Sequence, residues 1–95
     1  MKIDIEFLSL PIVTKMVGSK SLSFNFPGGT VLDLIKHLSN RYGPGISNFL
    51  LDKTGKLDLG FQVLLNEKEW ISRAKTDKAL EDGDRVQIMM LVSGG

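Results

Sequence analysis

The sequence predicts an α+β domain, a mixed sheet of four to five strands with one main helix packed on one face. Three patterns carry this. Residues 2–7 alternate, with Ile3, Ile5 and Phe7 on one side and Lys2, Asp4 and Glu6 on the other, the period of a half-buried strand. Val31, Leu34, Ile35, Leu38 and Tyr42 recur at the spacing of one helix face. Residues 85–92 alternate again, with Val86, Ile88, Met90 and Val92 on one face and Met89 and Leu91 on the other. That last strand is apolar on both sides near its end, as a strand with neighbours on each side should be.

The remaining elements follow in order. Pro11 is expected to end the first strand, because proline lacks the N–H a ladder needs. Residues 12–20 read as a loop with a turn at Gly18, leading to a second strand at 21–26, so the two strands form a loosely connected hairpin. Pro27-Gly28-Gly29 breaks the alternation, Thr30 takes the N-cap position with Asp33 three residues on, and Gly43-Pro44 stops the helix. Ile46, Phe49 and Leu50 are spaced for a short helical turn, and residues 52–58 read as a polar turn or small hairpin. Residues 61–65 form a strand and 66–69 a turn; Trp70 and Ile71 begin a brief strand, with Trp70 in partly buried core. Leu80 anchors a loop and Asp82-Gly83-Asp84 makes a tight turn. The order ββαβ(β)β places the first and last strands side by side and parallel at the sheet centre, the layout of a β-grasp.

Ninety-five residues make one domain, here 1–91, with 92–95 as a flexible glycine-ended tail. The chain has no cysteine, which removes disulfides, thiolate metal sites and cysteine nucleophiles. A net charge of +1 provides no strong field for nucleic acid or an anionic membrane. Asp4 and Glu6 interrupt any leader-like apolar run, and no window approaches the ~20 apolar residues of a membrane span. The expectation is a soluble, cytoplasmic protein that is monomeric when free.

No catalytic constellation is visible in the body. His37 lies off the apolar helix stripe and is expected at the surface, and one histidine without cysteine makes a poor zinc site. "FPGGTV" has neither the lysine nor the spacing of a phosphate loop, so it reads as a turn plus N-cap. The carboxylates of 52–58 and 82–84 do not fit a calcium loop. No catalytic residue, metal site or bound cofactor is therefore expected.

The ending Val92-Ser93-Gly94-Gly95 is where chemistry is expected. A carboxylate must be activated before it can be an acyl donor, for instance as an adenylate from ATP. Glycine has no side chain to block a narrow channel and accepts any backbone conformation that channel demands. Gly95 is thus the candidate point of attachment, with Gly94 as its tail. Leu64, Met89 and Leu91, with Val92 and Ser93, are candidate docking residues for a partner. The alternative, that a loop or short helix covers Met89 and Leu91, stays open.

Residues 80–95, "LEDGDRVQIMMLVSGG", resemble the C-terminal signature of the ubiquitin-like β-grasp sulfur carriers, clearest in the small archaeal modifier proteins and the molybdopterin synthase small subunit. "VLLNEKE", "FPGGTVLDLIKHLSNRYG" and "DKTGKL" are similar to other parts of that pattern, so the resemblance spans most of the chain. Met90 and Leu91 depart from the prolines often found there. The resemblance implies that an E1-like enzyme adenylates Gly95 with ATP. The acyl group then becomes a thiocarboxylate for sulfur transfer or an isopeptide bond to lysines of target proteins. It also implies a carried substrate rather than an enzyme, of the archaeal modifier type. The alternatives are a dedicated partner of the molybdopterin synthase large subunit and a non-covalent β-grasp interaction module.

Overall fold

The computed structural model describes residues 1–90. Five strands and three α-helices follow one another as β1 (Lys2–Leu8), α1 (Pro11–Val17), β2 (Ser21–Asn25), α2 (Val31–Tyr42), α3 (Gly45–Leu50), β3 (Phe61–Leu65), β4 (Glu69–Ile71) and β5 (Arg85–Met90), with a 3-10 turn at Arg73–Lys75. The sheet order is β2-β1-β5-β3-β4, with β1 and β5 parallel and every other pair antiparallel. The expected β-grasp is therefore present, with the first and last strands side by side at its centre.

The core lies on one side of the sheet. Ile3, Ile5 and Phe7 of β1, Val63 and Leu65 of β3, and Val86 and Ile88 of β5 are buried. They pack with Val31, Leu34, Ile35 and Leu38 of α2 in one cluster. The alternating residues of β1 and the two-per-turn stripe of α2 thus meet face to face. The main helix starts as expected: Thr30 Oγ1 accepts from the Asp33 N–H at 3.1 Å, and Asp33 Oδ2 accepts from the Thr30 N–H at 3.0 Å. Gly29 makes this possible. Its φ is +132°, and a Cβ there would stand 2.5 Å from Asp33 Oδ2.

The centre of the sheet is set by the turn before β5. Gly83 N–H donates to Lys2 O, the Lys2 N–H donates to Asp82 Oδ1, and the Asp4 N–H donates to Asp84 O. These bonds fix the parallel register that pairs Ile5 with Val86 and Phe7 with Ile88. At the other end of the hairpin β3–β4, Asn66 and Glu67 both take left-handed φ values, 53° and 59°, and Lys68 N–H closes the turn on Leu65 O.

Three expectations are corrected. Residues 12–20 are not simply a loop: Pro11 opens α1 rather than only ending a strand, because its missing N–H is harmless in a first helical turn. Val13 is the buried anchor of α1, and Gly18, at φ 90°, caps it by donating to Thr14 O. Trp70 is 52% exposed, because Ile71 takes the inward position and strand alternation sends its neighbour outward. His37 is half-buried rather than exposed, edge-on to the Phe26 ring at 5.4 Å. The other short elements agree: Gly45–Leu50 is helical, and residues 52–58 form a small hairpin in which Leu51 bridges Leu57.

Candidate functional site

The helices cover one face of the sheet, and the opposite face is the surface from which β5 presents its last residues. The register assembles this outer face in rows. Glu6, Gln87, Leu64 and Trp70 lie across four strands, and Leu8, Met89 and Gln62 form the next row toward the end of β5. Leu8, Leu64 and Met89 are half-buried and none of the described helices overlies them, so they and Trp70 form an apolar strip that no described helix covers. Leu64 and Met89, singled out from the sequence, are diagonal neighbours on one face across β3 and β5. Leu8 and Trp70 complete the strip and were missed. The alternation of β1 puts Leu8 opposite to Phe7, but nothing local shows that Leu8 pairs with Met89.

The other half of the face is polar and internally satisfied. Glu6 Oε1 accepts from Arg85 Nη2 at 2.9 Å and from Gln87 Nε2 at 2.8 Å. The hydrogen bonds from Gln87, then Arg85, hold the Glu6 carboxyl below its ordinary range, and Glu6 in turn raises Arg85. Gln87 is only 8% exposed, and this bond supplies the partner a buried amide requires. The outer face is thus apolar toward the end of β5 and charged toward its start. Met90, in the inward register opposite Phe61, is 47% exposed where the covered core ends. Gly94, Gly95, Leu91, Val92 and Ser93 lie outside the described residues, as does the proposed boundary at 91/92.

Among the described residues, no group of three or more histidine and carboxylate side chains could hold a metal ion. No helix there is long and apolar enough to cross a membrane. In "FPGGTV" the Thr30 N–H is taken by Asp33 Oδ2, the Phe26 N–H by Met1 O and the Val31 N–H by Lys78 O, as a turn and N-cap require.

This fold, with a central last strand leading into Val-Ser-Gly-Gly, defines a ubiquitin-like β-grasp domain of the sulfur carrier and modifier class. Residues 15–95 match the model of the ThiS family, and the chain belongs to that family. Among solved structures it is similar to the small archaeal modifier protein SAMP1 of Haloferax volcanii, with a TM-score of 0.77, 22% identity and 100% of each chain covered. It is similar to CysO of Mycobacterium tuberculosis, with a TM-score of 0.76 and 28% identity over 95% of this chain and 99% of that one. CysO in the BexX/CysO complex of Amycolatopsis orientalis gives a TM-score of 0.76 and 27% identity over 98% and 99%. No match is found among curated proteins. SAMP1 is described as a small modifier protein, and one CysO is seen in complex with BexX.

Proposed function

We propose that this protein is an acyl carrier of sulfur or of itself, activated at the carboxyl of Gly95. The observation that carries this reading is that the ThiS family match runs through Gly95 and takes in the whole of β5 and the Val-Ser-Gly-Gly ending. An E1-like enzyme joins the Gly95 carboxylate to AMP, releasing pyrophosphate from ATP. A sulfur donor displaces AMP to leave a thiocarboxylate, or a lysine ε-amine of a target protein displaces it to form an isopeptide bond. The chain's part is binding and delivery. The strip of Leu8, Leu64, Met89 and Trp70 docks the activating enzyme, and β5, paired on both sides, gives the tail a fixed base.

The test is direct. The protein is incubated with ATP, a cognate E1-like enzyme and sulfide, and intact mass is measured. The expected result is the mass gain of one oxygen replaced by sulfur, or lysine adducts when targets are present. Deleting Gly95 removes both products and leaves the circular dichroism spectrum unchanged. A protein that supports neither ATP–pyrophosphate exchange nor any terminal product with a competent enzyme is a non-covalent module instead.

A further inference from the structure

The sheet has a notch beside β4. β3 and β4 pair only from Val63 to Leu65, whereas Phe61 and Gln62 pair with Met90 and Met89 on one side and, among the described residues, with no strand on the other. After Ile71 the chain leaves the sheet for the 3-10 turn at Arg73–Lys75. The step leaves an open groove of about 460 Å³, bordered by Leu59, Phe61, Gln62, Trp70, Lys56 and Arg73. Leu59 is 74% exposed and Trp70 52%, a large apolar area for two neighbouring side chains with no structural duty there.

The charged lining of the groove is cationic. Its two charged lining residues are Lys56 and Arg73, and no carboxylate lines it. Asp52 clamps the two walls together from behind. Its Oδ2 accepts from Arg73 Nε at 3.1 Å and Nη2 at 2.6 Å, and its Oδ1 accepts from the Lys56 N–H at 3.2 Å. This arrangement leaves the Nη1 of Arg73 free of Asp52 and so available to a second carboxylate. Lys53, Lys56 and Lys75 form no ion pair among the described residues. Two lining cations and a net charge of +1 make too small a field for a polyanion such as nucleic acid.

We propose that this notch seats an acidic segment of a partner protein, with an apolar side chain between Leu59 and Trp70 and flanking carboxylates on Lys56 and Arg73. The groove shares Phe61 and Gln62 with the ladder to Met90 and Met89, so its occupant lies beside the end of β5.

The test uses three peptides that share a central Leu-Phe-Leu, one flanked by Asp and Glu, one by Ser and one by Lys. Each is titrated into the isotope-labelled full chain and followed by backbone amide shifts. The acidic peptide is expected to give saturable shifts centred on Phe61, Gln62 and Trp70 to Ala74. The Ser-flanked peptide should bind more weakly and the Lys-flanked one not at all. Lys56→Glu, which replaces an attraction by a repulsion on an exposed side chain, lowers the acidic peptide's affinity about tenfold. Leu59→Ser weakens all binding. Both variants keep the wild-type melting temperature, since neither side chain is in the core. Equal binding by the Lys-flanked peptide, shifts centred on Leu8 and Met89 instead, or no saturable shift at millimolar peptide overturns the proposal. Deleting Gly95 leaves this binding unchanged while removing the thiocarboxylate, so the groove and the tail chemistry fail independently.

Discussion

Gly29 and Asp52 each hold a junction together through a single residue. Gly29→Ala forces a side chain into a left-handed backbone and against Asp33, breaking both bonds of the capping box. It should destabilise by about 2 kcal/mol, against about 1 kcal/mol for Thr30→Ala, which removes only the cap; urea unfolding checks both. The box was legible in the sequence because its partners are three residues apart. The Asp52–Arg73 clamp was not, because nothing local links residues 21 apart. Asp52 is held well below the usual carboxylate range, first by the Thr54 hydroxyl, then by Arg73, with the Lys56 and Thr54 N–H groups adding to it. A depressed folded pKa stabilises fully above the ordinary carboxylate value and loses that stabilisation as pH falls. The unfolded chain takes up its proton first, from about pH 4 downward. Urea midpoints should therefore drop between neutral pH and about pH 3, and Asp52→Asn should show a shallower drop from a lower starting point.

At the scale of elements, period decided what could be read. The 12 residues of α2 carry a full apolar stripe, and β1 and β5 carry clean alternation, so each was legible. The seven residues of α1 bury Val13 alone, too little to reveal a helical period. Trp70 was misplaced for a related reason: a three-residue strand has no second turn of the alternation to show which neighbour faces in. β5 itself separates stability from the proposed docking. Ile88→Ala removes a fully buried side chain from the central strand and should cost about 3 kcal/mol. Met89→Ser, one residue on but half-buried and facing outward, should cost about 1 kcal/mol or less. It should nonetheless raise the KM of the activating enzyme for this protein. If Met89→Ser matches the wild type in that assay, the outer strip is not the docking surface.

For the whole molecule, connectivity governs assembly. Among the described residues the β1–β2 pair and the β3–β4 pair share no backbone ladder, and β5 is the only strand that joins them. This much follows from parallel pairing of the first and last strands, which the patterns predicted. The order of β3 and β4 beyond β5 rests on the tight Asn66-Glu67 turn, and long-range pairing leaves no local trace. A chain truncated before Arg85 should show no cooperative thermal transition and little protected amide exchange, although α2 is intact in its sequence. Because β5 follows both strand pairs in the chain, they wait unjoined on the ribosome until it emerges. Every row of the outer strip runs through β1, β5 and β3, so a partner that grips those rows finds its surface only after the sheet has closed. If the activating enzyme docks on this face as proposed, its recognition of the strip is also an inspection of finished folding.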